Sequence, residues 1–176
     1  LEEVRKISET AERINGVIQR LSRITRRMEA RPQELAVDRL LPEIEALCVK
    51  ALGTNVMNAV RCVGTVPPVM VDEAGFLRAL MHLCLNAGEA MPDGGELMVR
   101  TSSVSGEVRV EITDTGEGIP DEHRESIFLP FFTTKADGSG IGLALSKQIL
   151  YHHKGTISIE STSGKGTAVI LELPRA

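Results

Sequence analysis

The sequence predicts an α+β protein, a two-layer α/β sandwich in which a mixed sheet carries helices on one face and a long bundle helix precedes it. Three observations lead there. Apolar residues recur at steps of three and four in some segments, the mark of amphipathic helices, and alternate in others, the mark of half-buried strands. Helical and extended segments come in groups with mostly antiparallel neighbours, which suits helices stacked on one face of a sheet. Glycines gather in two clusters, "DTGEGIP" and "DGSGIG", and such clusters mark places where the backbone turns sharply or is closely approached.

In "LEEVRKISETAERINGVIQRLSRITRR", Val4, Ile7, Ala11, Ile14, Ile18, Leu21 and Ile24 form one helical stripe, with charged residues on the other faces. The stripe is narrow and long, the pattern of a coiled coil or helical bundle, although an ordinary surface helix would show a related pattern. Pro32 sits where this helix would end, so residues 1–31 read as one unit and 34–176 as the main domain. A first residue that is not Met, in mid-helix, is expected of part of a longer chain. From Glu34 a short extended piece leads to Asp38 as a helix cap. A helix follows with Leu40, Leu41, Ile44, Leu47, Cys48 and Ala51 inward, and Gly53 ends it. Strands are predicted around 59–63 and 69–71. A second helix begins after Asp72 and runs to Met91, where "PDGG" stops it. "ELMVRTSS" and "EVRVEIT" then alternate about Ser105–Gly106 as a hairpin, with Leu97, Val99, Val108, Val110 and Ile112 on one face. After the glycine clusters come a helix to about His153 and two closing strands, "TISIES" and "GTAVILELP".

A length of 176 residues fits one ordinary domain with an appendage, and 42% hydrophobic with 25% charged residues fits a globular chain. A net charge of −4 and a pI near 5.6 give no reason to expect nucleic acid or an anionic membrane as partner. No apolar run nears the roughly 20 residues of a membrane span, and no signal peptide opens the chain. Cys48, Cys62 and Cys84 show no ligand-like pairing and are expected to be buried thiols in a reducing compartment.

Chemistry concentrates in three places. On the second helix, Phe76, Leu80, Leu83, Cys84 and Ala87 form the core stripe, while His82, Asn86 and Glu89 share another face. An imidazole, an amide and a carboxylate there are unlike the Lys and Arg of a merely solvated strip. The strand "EVRVEIT" ends at Asp114, followed by Gly116 and Gly118, where a flat ligand can lie over the backbone while a carboxylate accepts its hydrogen bonds. Gly138, Gly140 and Gly142 run into a helix whose free N–H groups favour an anion. The third cluster is neither a P-loop nor a dinucleotide fingerprint, since the Lys-Ser/Thr ending and the leading strand are both lacking. Together the three call for a ligand with a flat donor ring at one end and an anionic group at the other. A nucleoside triphosphate has both, and the amide oxygen of Asn86 suits Mg²⁺.

The ordered motifs "HLCLNAGEA", "DTGEGIP", "FLPFFTTK" and "GSGIGLALSKQI", closed by "GKGTAVILELP", resemble the N, G1, F and G2 boxes of sensor histidine kinases. These belong to the GHKL ATPases with their Bergerat-type pocket. The resemblance covers Glu34 to Pro174, and the first helix resembles the second helix of a dimerisation and histidine-phosphotransfer hairpin, of the kind found in nitrogen-regulation-type and hybrid kinases. It implies an ATP site in which Asp114 accepts the adenine amino group over Gly116 and Gly118, with Thr167 assisting through water. Asn86 holds Mg²⁺ across the phosphates. Residues 121–138 form a lid packed by Phe131 and Phe132, from which Lys135 reaches phosphate; Asn86 and Lys135 are the implied catalytic residues. Gly138, Gly140 and Gly142 cradle the phosphates, and Glu89, Ile119, Thr134, Ser139, Ile141 and Leu143 complete the nucleotide surroundings. Two positions depart from the pattern: His82 stands where many members have Asn, and Glu89 where some carry a basic residue.

The implied activity is transfer of the γ-phosphoryl of Mg-ATP to a histidine on a hairpin helix missing from this chain, for relay to the receiver domain of a response regulator. The resemblance further implies ADP as product, a homodimeric full-length protein, and a cytoplasmic location for this part of a parent protein for which a membrane anchor stays open. None of His82, His123, His152 and His153 is followed by an acid, as the family's phosphoacceptor is; the last two read as solvated or capping residues. Two other readings stay open, a GHKL Ser/Thr kinase of the anti-sigma type and a degenerate module that binds nucleotide only to regulate a partner.

Overall fold

The computed structural model describes residues 31–52, 56–62, 66–135 and 138–176. The predicted bundle helix, apart from Arg31, and Gly53 lie outside them. In chain order the elements are β1 (Gln33–Leu35), α1 (Leu41–Leu52), β2 (Val56–Cys62), β3 (Val69–Val71), α2 (Glu73–Glu89), β4 (Gly95–Val104), β5 (Glu107–Asp114), α3 (Gly142–His152), β6 (Thr156–Thr162) and β7 (Gly166–Pro174). The main sheet has five strands in the order β2-β4-β5-β7-β6. β2 runs parallel to β4 and the other pairs are antiparallel, so the sheet is mixed as predicted. β1 and β3 form a separate antiparallel pair. α1 packs on β2 and α2, α2 on β4, β5 and α3, and α3 on β6.

Register explains why the helices choose one face. Side chains two apart on a strand share a face, so cross-strand partners form rows. Thr101, Val110, Leu171 and Ile157 make one such row, and Val99, Ile112, Val169 and Ile159 make the next. The first three members of each row are buried. Each fully buried Val, Leu or Ile contributes about 1.5–3 kcal/mol relative to exposure. The third row, Leu97, Asp114, Thr167 and Ser161, turns polar. The apolar interior ends there.

Local chemistry sets the joints. Asp72 caps α2 by accepting the Gly75 N–H on Oδ2 at 2.8 Å. The Ser105–Gly106 turn has φ of 52° and 88°, the doubly left-handed geometry of a two-residue hairpin. α2 stops at Glu89 rather than Met91 because the last turn tightens, with the Met91 N–H on the Gly88 oxygen at 3.0 Å. Asp38 is not a side-chain cap: it lies inside a 3-10 turn, Val37–Leu40, that precedes α1. Its neighbours Val37 and Leu40 are both buried and hold the chain in that tighter turn. Of the two terminal histidines, His152 is exposed and His153 is buried. The His153 Nε2 accepts the Asp72 N–H at 2.8 Å and its Nδ1 donates to the Ile149 oxygen at 2.7 Å, tying the end of α3 to the start of α2. Cys48 and Cys84 are buried free thiols; the Cys62 side chain lies outside the description. Among the described residues no helix is long and apolar enough to cross a membrane.

Candidate functional site

A cavity of about 750 Å³ opens where the sheet's polar row meets the facing sides of α2 and α3. α2 supplies His82, Asn86 and Glu89 to it, and Leu83 and Ala87 of the buried stripe also reach the cavity, while Phe76, Leu80 and Cys84 do not line it. Burial holds the His82 imidazole below its ordinary pKa, and the charge of Arg78 adds to that, so the ring is neutral near pH 7. Asn86 offers an amide whose side chain makes no hydrogen bond among the described residues. No group of three His, Cys, Asp or Glu side chains is placed among those residues to hold a metal. An amide lining the cavity nevertheless suits Mg²⁺, which takes few protein ligands and fills its shell with phosphate and water.

Asp114 closes β5 and is 6% exposed. Its Oδ1 accepts the Gly116 N–H at 2.9 Å and the Thr167 N–H at 3.2 Å. Both bonds fall on one oxygen, and Oδ2 accepts none from the described residues. Burial pushes the carboxyl above its ordinary pKa, while the two N–H donors and the Lys135 charge pull the other way. Thr167 and Ile119 line the cavity with it, as does Gly118, whose φ is +69°. A Cβ on Gly118 would run into the Thr162 carbonyl, which bars any larger residue.

Gly138, Ser139, Gly140, Gly142 and Leu143 also line the space. α3 begins there with no side-chain cap among the described residues, and the first N–H groups of a helix favour an anion. Thr134 and Lys135 reach the cavity from the segment between the glycine clusters. The Lys135 ammonium pairs with the Glu89 carboxylate at 2.5 Å, where partial exposure keeps such a pair weak.

Three residues expected at the site do not line the cavity. Gly116 backs onto the end of α2, where a Cβ would stand 2.5 Å from the Ala90 oxygen; it reaches the site only through its bond to Asp114. Phe131 is 39% exposed with φ +68°. Its N–H is held by the Gly140 oxygen at 2.8 Å, and this left-handed backbone turns the ring outward. Ile141 is the cap residue of α3, and its neighbours on either side reach the cavity instead. Phe132 does line it, edge-on to His123 at 5.4 Å between ring centres. Sequence reasoning passed over Ile112, Val169 and Ile159, the apolar floor beside the acid. The alternation that leads into Asp114 points to Ile112, two residues earlier on the same face.

Comparison with known proteins agrees with this geometry. Residues 71–176 match the family described as histidine kinase-, DNA gyrase B-, and HSP90-like ATPase. The sensor histidine kinase ZraS of Escherichia coli K12 is 30% identical over 169 residues, 96% of this chain and 36% of its own. The sensor kinase CckA of Brucella abortus is 32% identical over 190 residues, 98% of this chain and 20% of its own. The chain therefore spans about a third or less of the length of these relatives. Among solved structures, the nucleotide-free catalytic domain of histidine kinase ThkA superposes with a TM-score of 0.72 at 29% identity, covering 82% of this chain and 95% of that one. The mycobacterial sensor histidine kinase MprB gives 0.70 at 28% identity, covering 82% and 97%. The chain belongs to the family of histidine kinase-, DNA gyrase B- and HSP90-like ATPases, as an ATP-binding catalytic domain of the sensor histidine kinase kind.

Proposed function

We propose that the cavity binds Mg-ATP and presents its γ-phosphoryl to a histidine imidazole on a hairpin helix outside these residues, for relay to a response regulator. The observation that carries this is Asp114: a buried carboxylate at the polar end of an apolar sheet face, with Oδ1 taken by two backbone donors and Oδ2 left to a ligand. An adenine amino group supplies the donor that Oδ2 lacks among the described residues. Ile112, Val169 and Ile159 give the ring an apolar bed. The polyphosphate then extends toward Gly138, Gly140 and Gly142 at the uncapped start of α3.

Asn86 would hold Mg²⁺, which supplies charge neutralisation along the phosphates when bound. Lys135 exchanges Glu89 for a phosphate oxygen, and residues 121–138 act as a lid. Transfer forms the imidazole nitrogen–phosphorus bond as the bond from phosphorus to the bridging oxygen of ADP breaks. The chain's contribution is positioning and electrostatic stabilisation of a loose transition state. In the same reading residues 1–31 are the second helix of the hairpin and 34–176 the catalytic domain of a cytoplasmic, homodimeric kinase.

Calorimetry tests the base assignment. ATP is expected to bind more tightly than GTP, whose ring carries a carbonyl where adenine carries the amino group. Asp114→Asn is expected to weaken ATP binding by at least ~1.5 kcal/mol through loss of a charge-assisted hydrogen bond. Equal affinities for ATP and GTP would remove the adenine assignment.

A further inference from the structure

Ser161 sits beside the site rather than in it: it is not among the residues that line the cavity. Yet its hydroxyl meets three polar groups at once. It accepts the Ile119 N–H at 2.8 Å, donates to the Gly166 oxygen at 2.9 Å, and lies 2.9 Å from the Thr167 hydroxyl. A serine hydroxyl has one proton and two lone pairs. The Gly166 carbonyl can only accept, so the Ser161 proton lies on that line; without it two sets of lone pairs would face each other. One Ser161 lone pair takes the Ile119 N–H. The other is left for Thr167, and the shared proton of that contact must come from Thr167.

The consequence falls on the cavity. With its only proton spent on Ser161, Thr167 presents lone pairs alone. Ionised Asp114 is likewise acceptor-only. Register places Asp114, Thr167 and Ser161 side by side in one row across β5, β7 and β6, and the two members of it that line the cavity, Asp114 and Thr167, present acceptors. We infer that Ser161 is a specificity-determining positioning residue: by holding the Thr167 hydroxyl as an acceptor it makes the cavity select a ring bearing an amino group over one bearing a carbonyl. The inference rests on the nucleotide reading of the cavity and adds to it the residue that sets hydrogen-bond polarity. The same hydroxyl anchors Ile119, so the glycine loop and the discriminating threonine share one support.

The test is the ratio of ITP to ATP dissociation constants, measured calorimetrically on the whole chain with Mg²⁺. ITP replaces the amino group with a carbonyl and, unlike GTP, carries no amino group elsewhere on the ring. In Ser161→Ala the Thr167 hydroxyl is released to turn and donate into the cavity. ITP is then expected to gain on ATP by about tenfold, the scale of one hydrogen bond. Ser161→Thr, which keeps the hydroxyl, is expected to retain the parental ratio. Thr167→Val, which tests the acceptor directly even should Ser161→Ala fold poorly, is expected to weaken ATP without weakening ITP. Equal weakening of both nucleotides in Ser161→Ala would make Ser161 a structural prop only and overturn the inference, as would an unchanged ratio or a greater loss of ITP than ATP in Thr167→Val. A parental chain that does not distinguish ATP from ITP would instead count against the nucleotide reading itself.

Discussion

At the scale of single residues, two side chains on one face of α2 make separable demands on solution conditions. Asn86 stands four residues after His82 on the cavity side and offers an oxygen donor. Asn86→Ala is expected to leave metal-free adenosine or ADP binding largely intact while abolishing the Mg²⁺ dependence of ATP binding; titrations with and without Mg²⁺ read this directly, and equal Mg²⁺ enhancement in variant and parent would remove Asn86 as the ligand. His82 acts on stability. Burial, then Arg78, lowers its pKa from 6.5, so the folded chain binds fewer protons than the unfolded one. Its stabilising contribution is present above pH 6.5 and is lost as pH falls from there through the folded pKa. His82→Asn removes that titration. Melting temperatures at about pH 7.5 and about pH 5.5 are expected to differ less in the variant than in the parent, and an equal or greater difference contradicts the placement of His82. The place of Asn86 on the cavity side of α2 was legible because helical spacing separates it from the apolar stripe. The role of Ser161 was not, since it depends on which residues of β5, β7 and β6 stand in register.

Among the elements, the joint between α2 and α3 was the least legible. His153 follows an exposed His152, and a His-His pair at a helix end reads as solvated. In the fold the second ring turns inward and accepts the Asp72 N–H, so the cap of α2 depends on a residue 81 positions away. His153→Leu strands that N–H and is expected to cost about 1–3 kcal/mol. His152→Leu, on the exposed side, is expected to stay within about 0.5 kcal/mol. Urea denaturation of the two variants checks the contrast, and equal effects would mean that the tie contributes nothing. The β4–β5 hairpin was legible in detail, because strict alternation on both strands and a Ser-Gly turn fix the same register. The segment between the glycine clusters was not. Its Phe131 and Phe132 are equivalent in sequence, and only the left-handed backbone at Phe131 sends one ring outward and leaves the other at the cavity.

For the whole molecule, the fold was legible because periodicity, caps and turns agree along the chain, and an α/β sandwich is the packing that satisfies them. The site was legible because its three parts need unusual residues where core or solvent would favour others: an amide on α2, an acid ending an apolar strand, glycines ahead of a helix. Chemistry on a partner helix is a different matter. Of the four histidines of this chain, His82 and His123 line the cavity and His152 and His153 end α3, and none is followed by the acid that would orient an attacking imidazole. The most direct measurement is incubation of the chain with γ-labelled Mg-ATP, alone and with a hairpin bearing a His followed by an acid. Acid-labile, base-stable phosphate is expected on the hairpin, none on this chain, and less on the hairpin in Asp114→Asn at ATP concentrations near the parental Kd. Acid-stable phosphate on serine or threonine, or stable phosphohistidine on His123, His152 or His153 of this chain, would contradict the reading of the protein as a histidine kinase catalytic domain acting on a separate helix.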